Sequence, residues 1–392
     1  MKFTFLTNSI SPHQLPLARE LVSLLGYKNY SYIYTDAITE ERKKLGWGDF
    51  ILKVNCKQGS VNEKNLLDSD ILMSGIRSIE VFEERAKRGM KTLYCSERWF
   101  KPVIGFLRVF VPSYFKMAWR IVKLLKEDTN FYYFPMGVHA AQDMARLCGF
   151  MNGDWKCLFV APKLDFERKP GGRIWVRGES QNTQNARKYC LDKMRMWGYY
   201  VSPSDFDALP VKEASKSKSR EIKVLWVGRM LNFKRVDTIV RAVGEHANLK
   251  RGDNSLPKIT LDIYGIGLEE AKLKRLAFKY GDVIKFYPPV PISEVRKLMR
   301  EHDIFVLSSN AYEGWGAVVS EALEEEMAVI GTYEAGSSAT ILPESNLFHT
   351  GDWQRLAELL KGEVEKIEIG PWTIKYAAKF IVSEFCEVNE KT

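Results

Sequence analysis

The stretch IFVLSSNAYEGWGAVVSEALEEEMAVIGTY, residues 304–333, decides the fold of this chain. It opens with a short apolar run and closes with another, AVIGTY, and both are typical of strands buried on two faces. A loop that contains Glu313 follows the first run, and AVVSEALEEEM then has the spacing of an amphipathic helix. A strand, a helix and a second strand in this order predict a βαβ unit and a parallel sheet.

The same alternation of strands and helices runs through both halves of the chain. The predicted strands are KFTFL, SYIYTD, DFILKV, DILMSG, KTLYC and FYYFPMG in the first half, and KVLWVG, ITLDIYG, VIKFYP, IFVLSS and AVIGTY in the second. The helical patterns include LARELVSLLG and SIEVFEERAKRG, then TIVRAVGEH, EEAKLKRLAFKYG, ISEVRKLMREH and AVVSEALEEEM. The predicted fold class is therefore α/β, with two Rossmann-like, doubly wound domains.

Domain boundaries follow from a polar segment between the two halves. EASKSKSRE, residues 213–221, has no apolar periodicity and indicates a linker. We place the first domain at residues 1–205, the linker at 206–221 and the second domain at 222–371. Residues 372–392 begin with WTIKYAAKFIVSEFC, which predicts one more amphipathic helix.

The amino-acid composition and net charge limit the kinds of protein that this chain could be. The chain has 392 residues, 45% hydrophobic and 27% charged, which is typical of a globular protein with two or three domains. No apolar stretch is long enough to span a membrane, and the apolar start is too short for a signal peptide. Six scattered cysteines without a CxxC pair favour a reducing cytoplasm. The net charge of +9 favours an anionic partner: a nucleotide, a nucleic acid or an acidic membrane surface.

Loops at the carboxyl ends of the second-half strands hold the candidate ligand-binding residues, because doubly wound sheets bind ligands there. VLWVGRMLNFK places Gly228, Arg229 and Lys234 after one strand. Glycine allows close backbone approach, and arginine and lysine suit a diphosphate. Taken singly, each cation could be an ordinary solvated loop residue. DIYGIG places Gly265 after the next strand, where it could equally belong to a tight turn.

The loop after IFVLSS holds a pair of carboxylates. Glu313 precedes Gly314, Trp315 and Gly316, and Glu321 lies in the helix that follows. Backbone N–H groups at such a glycine-rich helix start can meet ligand oxygens, and both carboxylates can accept hydrogen bonds from sugar hydroxyls. The alternatives are a capping or loop acid for the first carboxylate, and the solvated acidic face of a plain helix for the second.

Together these residues resemble the donor-binding domain of retaining glycosyltransferases of family 4, which have the GT-B fold. The resemblance runs in order over residues 222–345, through VGRMLNFK, DIYGIG, SSNAYEGWGAVVSEA and AVIGTYEAGSS. It implies two Rossmann-like domains that face each other across a cleft, with the C-terminal helix returning to the first domain. It also implies an enzyme that transfers a sugar from a UDP- or GDP-sugar to a polysaccharide or lipid-linked acceptor, without a metal or other cofactor.

Residue roles follow from the same resemblance. Arg229 and Lys234 would bind the donor diphosphate, and Glu321 would bind the ribose. Glu313, with the backbone of residues 314–316, would hold the transferred sugar. Retaining transfer in this family is thought to use front-face attack, in which the donor phosphate helps to deprotonate the acceptor, so that no enzyme nucleophile is needed.

The sequence departs from the family pattern at a few positions. Pro288 and Pro289 replace a glycine near the nucleotide base, and the GSSATIL loop lacks a common glutamate. Arg235 and Glu326 stand where the family usually has glycine. If the backbone at Glu326 is still left-handed, we expect a cost of about 1 kcal/mol.

The first half would bind the acceptor, and its strand-end loops supply the candidates. His13 and Gln14 follow the first strand, Glu97 and Arg98 follow KTLYC, and His139 follows FYYFPMG. Each has a structural alternative, such as a helix cap or a packing residue.

Residues 98–126 combine basic and aromatic residues and contain no acid. Lys116, Trp119, Arg120 and Lys123 recur at helical spacing, which suits a helix lying on an anionic membrane, peripheral to the cytoplasmic face. The alternative is a helix that packs its apolar side into the domain and leaves its cations in water.

The sequence contains two Asp-x-Asp pairs that resemble a metal-binding motif. The pairs Asp68–Asp70 and Asp205–Asp207 do not follow strands, and the histidines lack ligand spacing, so no metal is expected.

Three functions are alternatives to a glycosyltransferase: a sugar-nucleotide epimerase or hydrolase of the same fold, a catalytically silent binding scaffold, and a nucleic-acid-binding protein. The last depends on charge alone, so we expect no nucleic-acid partner.

Overall fold

The structure, a computed structural model of the chain, describes residues 1–11, 13–39, 54–60, 64–100, 104–177, 188–200, 221–253, 255–362 and 364–386. The described residues form two compact units. The first contains those up to residue 200 together with those from residue 371 onward, and the second contains those from 221 to 370. The predicted strand DFILKV, the linker and the second Asp-x-Asp pair lie almost entirely outside the described residues.

The first unit is built on a parallel sheet of six strands. They are β1 Phe3–Thr7, β2 Tyr30–Tyr34, β3 Cys56–Gln58, β4 Ile71–Ser74, β5 Lys91–Ser96 and β6 Phe131–Pro135. Their order in the sheet is β3-β2-β1-β4-β5-β6, and every pair is parallel. An antiparallel hairpin of β7 Leu164–Phe166 and β8 Ile174–Val176 stands apart from this sheet.

Helices cover the first sheet. They are α1 Leu15–Leu25, α2 Lys64–Asp68, α3 Ile79–Lys87, α4 Pro112–Glu127, α5 Val138–Met151 and α6 Lys156–Phe159, with 3-10 helices at Tyr27–Asn29 and Gly105–Phe110. The C-terminal helix, Ile374–Phe385, also belongs to this unit and packs against α1. Its Phe385 ring lies edge-on to Tyr132 with centroids 4.9 Å apart, so the end of the chain completes the core of this unit.

The second unit repeats the design. Its strands are β9 Glu221–Val227, β10 Lys258–Tyr264, β11 Ile284–Tyr287, β12 Ile304–Leu307, β13 Ala328–Thr332 and β14 Leu347–Phe348. All pairs are parallel and the order is β11-β10-β9-β12-β13-β14. The prediction of two doubly wound parallel sheets is confirmed.

Helices flank the second sheet as well. They are α7 Val236–Lys250, α8 Glu270–Phe278, α9 Ile292–Glu301, α10 Val318–Glu324, α11 Gly336–Ile341 and α12 Trp353–Lys361, with 3-10 helices at Asn232–Lys234, Gly281–Val283 and Glu344–Asn346. Apolar residues of α7, α8 and α12 and of all six strands form one buried core. The order of strands reverses between β9 and β12, and ligands bind in doubly wound sheets at such a switch point.

Among the described residues, no helix combines the length and the apolar character that a membrane span requires.

Candidate functional site

Lys234 and Glu313 form the centre of the site in the second unit. Lys234 ends the 3-10 helix after β9, and Glu313 lies in the loop after β12. The lysine Nζ lies 2.5 Å from the Glu313 Oε2, and the two side chains are only 18% and 13% exposed. The sheet topology thus joins two predicted donor-binding residues that are 79 positions apart in sequence.

Two serines at the end of β12 hold this ion pair in place. The Ser309 hydroxyl donates to Glu313 Oε2 at 2.8 Å, and the Ser308 hydroxyl donates to the Lys234 carbonyl at 2.7 Å. Thr332 and Thr350 in turn donate their hydroxyls to the Ser309 carbonyl, at 2.6 and 3.2 Å. Sequence reasoning missed this support, although the polar Ser-Ser after a buried strand was a visible signal.

Backbone packing explains the glycines of the Glu313 loop. Gly316 has φ 86°, and a Cβ there would lie 2.9 Å from the Leu307 side chain. A Cβ on Gly336 would lie 2.3 Å from the Gly314 carbonyl. The Ser337 N–H donates to the Trp315 carbonyl at 2.8 Å, and the indole of that tryptophan is buried. The loop therefore packs closely against the start of α11. Its shape requires glycine at positions 316 and 336, because a side chain at either position would clash.

The loops after β9 and β10 also touch through their backbones. A Cβ on Gly265 would lie 1.9 Å from the Gly228 carbonyl, and the Gly228 N–H donates to the Tyr264 carbonyl at 3.0 Å. Gly265 has φ 144°, so both steric space and backbone angle require glycine. Arg229, next in the chain, is exposed at this edge of the sheet.

Helix α10 carries Glu321, which is partly buried and whose carbonyl accepts a hydrogen bond from Arg296 at 2.5 Å. The same arginine lies 3.0 Å from Glu325, and the two side chains are 2% and 6% exposed. Burial also raises the pKa of Glu324. The acids at the end of this helix are therefore not all solvated, because an ion pair of Glu325 ties that end to α9.

Two family departures lie in left-handed backbone. Arg235 has φ 48° and Glu326 has φ 55°, and these are the non-glycine residues with positive φ in the described part of the chain. The condition set for a cost at Glu326, a left-handed backbone, is therefore met. Glycine suits both positions in the family because a Cβ is penalised there.

Acceptor-side candidates of the first unit gather in part around one small cavity. His13 and Gln14 line it together with Gly75 and Tyr199. The His13 and Tyr199 rings have centroids 6.0 Å apart, and the tyrosine hydroxyl reaches Glu97 at 3.5 Å. Three predicted residues thus share a neighbourhood at the carboxyl ends of β1 and β5.

Arg98 and His139 are engaged elsewhere. The Arg98 guanidinium contacts the carboxylate of Asp143 at 3.2 and 3.3 Å, and this aspartate is 2% exposed and also accepts the Phe100 N–H. His139 lies in the first turn of α5, with its Nδ1 3.1 Å from the Gln142 side-chain oxygen. The geometry therefore gives Arg98 a structural role in fastening its loop to α5.

Of the four candidate membrane-binding residues on α4, three are exposed and one, Arg120, forms ion pairs. Lys116, Trp119 and Lys123 are exposed. Arg120 instead contacts Glu80 at 2.8 Å and Glu83 at 2.6 Å, and its hydrogen bonds lower the pKa of both carboxyls. Arg120 therefore joins α4 to α3, whereas the other three lie at the surface, where Lys123 is 3.8 Å from Glu127 and 5.3 Å from the centroid of the Trp119 ring.

Within the described ranges, no group of three or more His, Cys, Asp or Glu side chains could hold a metal ion. Asp70 of the first Asp-x-Asp pair accepts the Lys2 backbone N–H at 2.6 Å, which is a structural contact.

Solved structures with the same architecture identify the fold. The galactosyltransferase WaaB of the lipopolysaccharide outer core, in its apo form, has a TM-score of 0.58 at 14% identity, over 98% of this chain and 99% of that one. Anabaena Alr3699/HepE in complex with UDP gives 0.56 at 15% identity, over 98% and 95%. An E. coli trehalose-6-phosphate structure bound with UDP-2-fluoro glucose gives 0.61 at 10% identity, over 99% of both chains. The chain has the GT-B fold.

The part of the chain that contains the site matches a known domain family. Residues 210–368, which include nearly all of the second unit, match the family Glycosyl transferases group 1. A stretch of 174 residues is 25% identical to the UDP-N-acetylglucosamine–peptide N-acetylglucosaminyltransferase GtfA subunit of Streptococcus agalactiae. The match covers 42% of this chain and 32% of that protein, so the chain matches about a third of the length of this curated relative.

Proposed function

We propose that the chain is a retaining glycosyltransferase that moves a sugar from a nucleotide-sugar donor to a polysaccharide or lipid-linked acceptor in cell-surface glycan biosynthesis. The observation that carries this proposal is the Lys234–Glu313 pair, held by Ser309 at the switch point of a group 1 glycosyltransferase domain. A partly buried carboxylate beside a cation can bind sugar hydroxyls and a diphosphate in one place.

Each group at the site has a task in this proposal. Arg229 and Lys234 neutralise the donor diphosphate, and Glu321 binds the ribose hydroxyls. Glu313 orients the sugar, because Ser309 fixes one of its carboxylate oxygens. The donor's own phosphate receives the acceptor proton, so the site needs no nucleophile, metal or other cofactor.

A UDP-sugar is the donor we favour. Two of the similar solved structures hold UDP or UDP-2-fluoro glucose, although each is at most 15% identical to this chain. The acceptor would be bound by the first unit, where His13, Gln14 and Glu97 come together. The enzyme would work in the cytoplasm, at the inner face of a membrane.

Thermal unfolding with UDP, GDP, ADP or CMP added separately tests the donor site. At 100 times its dissociation constant, a nucleotide adds about 2.7 kcal/mol to stability. We expect a shift with one nucleotide, which Arg229→Gln reduces and Lys297→Gln does not, since Lys297 is an exposed cation paired on α9. The absence of any shift would contradict the proposal.

Product analysis then separates transfer from the rival chemistries. Incubated with the sugar nucleotide alone, an epimerase would convert it and a hydrolase would release free sugar. We expect a new glycosidic product that forms only when acceptor is present. Addition of a chelator should leave its rate unchanged, and loss of activity with chelator would contradict a metal-free mechanism.

A further inference from the structure

An exposed apolar face occupies one part of the first unit. It is formed by the 3-10 helix Gly105–Phe110, the first half of α4, and α6 with its flanks. Nine of the nineteen large apolar side chains that the structure shows as exposed belong to this apolar face: Ile104, Leu107, Phe110, Val111, Phe115, Trp119, Trp155, Phe159 and Val160. So many exposed apolar side chains in two short segments mark an interaction site.

Contacts between aromatic rings join the two segments into one surface. The Phe106 and Phe159 rings meet edge to face with centroids 5.5 Å apart, and Trp155 packs on Phe159 at 5.8 Å. The Arg146 guanidinium lies 5.3 Å from the centroid of the Phe106 ring, and its Nε donates to the Leu158 carbonyl at 3.0 Å. Helix α6 is therefore fixed beside the 3-10 helix, and the apolar face is part of the folded unit.

Cations outnumber acids around the apolar face, and the acids Glu127 and Asp154 lie at its borders. Residues 104–126 and 155–163 contain no aspartate or glutamate. Their exposed cations are Arg108, Lys116, Lys123, Lys126, Lys156 and Lys163. Arg120 is excluded from this set because Glu80 and Glu83 pair with it and its side chain is only 21% exposed. Lys123 is kept because its contact with Glu127 is longer, at 3.8 Å, and its side chain is 49% exposed. An apolar centre flanked by lysines fits an anionic lipid surface, whereas the interfaces between proteins are depleted in lysine.

We propose that the apolar face and its flanking cations seat the protein on an anionic bilayer, with Phe110, Trp155 and Phe159 entering the headgroup region. The α6 residues and the 3-10 helix extend the docking site well beyond the α4 positions that the sequence pattern indicated. This inference deepens the proposed function, because a lipid-linked acceptor lies in such a bilayer. Binding to lipid, however, does not require an intact donor site.

Flotation with vesicles tests the apolar contribution. The full chain is mixed with vesicles of phosphatidylcholine alone or with added phosphatidylglycerol, without any nucleotide. We expect binding to the anionic vesicles, weakened about tenfold or more by Phe110→Ser with Phe159→Ser, because two aromatic groups leave the lipid. The matched control is Leu268→Ser with Phe278→Ser, two side chains of the second unit that are 92% and 88% exposed. The control should bind like the unaltered chain.

Removal of charge tests the preference for anionic lipid. We expect Lys116→Gln with Lys156→Gln to weaken binding to anionic vesicles by about fivefold per lysine. Lys274→Gln with Lys297→Gln, at exposed helical cations of the second unit, removes the same charge and should change binding much less.

Three results would overturn the proposal. They are no binding by the unaltered chain, equal binding to neutral and anionic vesicles, and equal weakening by the control pairs. A protein partner would appear instead as a self-association, seen by size exclusion, that the Phe110→Ser, Phe159→Ser variant abolishes. Thermal unfolding verifies that each variant is folded. The nucleotide-dependent shift, measured separately, shows whether the donor site is intact, so the two proposals can fail independently.

Discussion

Neutralising Glu313 should destabilise the second unit as well as stop transfer. In Glu313→Gln the amide oxygen can still accept from Ser309, but Lys234 loses its counter-charge in a site where its side chain is 18% exposed. Removing one partner of a fully buried pair costs about 3–5 kcal/mol, and because both side chains keep some contact with water we expect about 2 kcal/mol here.

A double-mutant cycle isolates the pair itself. Lys234→Met leaves the carboxylate unpaired, while the double variant leaves no charge unpaired and should cost less than the two single changes together. We expect a coupling energy of about 1.5–2 kcal/mol. The matched control is the exposed pair Glu294–Lys297, at 3.5 Å and about half exposed, whose coupling should be about 0.5 kcal/mol or less.

Hydrogen–deuterium exchange of peptides from β12 and α10 is the assay, since it reports the opening of the second unit separately from the first. Transfer activity is measured on the same samples, and we expect Glu313→Gln to abolish it. A coupling energy indistinguishable from that of the control pair would refute the structural reasoning. Unchanged transfer by Glu313→Gln would refute the assigned role of the carboxylate.

Three further variants test the backbone and the buried charges, each by the same exchange measurement. Glu326→Gly should stabilise the unit by about 1 kcal/mol because φ is 55° there, whereas Glu326→Ala should bring no gain. Gly265→Ala should destabilise it by about 2–3 kcal/mol, since the new Cβ would lie 1.9 Å from the Gly228 carbonyl, and wild-type protection would contradict the close approach. Arg296→Met should cost about 3 kcal/mol because the buried Glu325 then keeps its ion pair with Arg300 but loses the one with Arg296, and a neutral effect would show that the lost ion pair is dispensable.

Much of the fold could be predicted because its signals are local. Apolar runs bounded by turn residues marked five of the six strands of the second unit, and β14, only two residues long, was too short to show a pattern. The hairpin Leu164–Val176 was also missed, since its strands have only three residues each, too few to show a pattern. Helix α5, rich in small residues, was not singled out either.

Burial at the site could not be predicted from the same patterns. The three acids at the end of α10 look alike in sequence, yet Glu325 is 6% exposed because Arg296, from the preceding helix of the sheet, reaches it. Arg98 likewise seemed available at a strand end until Asp143, 45 residues away, was seen to bind it. Both outcomes depend on helix packing, which spacing within one helix does not specify.

The sequence by itself determined the parallel α/β architecture, the order of the strand-end loops and the glycines on which those loops depend, because strand and helix periods and backbone freedom are properties of neighbouring residues. Only the tertiary structure decided which side chains meet. It paired Lys234 with Glu313, separated Arg120 from the lysines beside it, and joined Phe106 to Phe159 in one exposed face. The physical reason is that parallel pairing brings distant strand ends to one edge, and charge and solvent exposure are then fixed by whatever the fold places next to them.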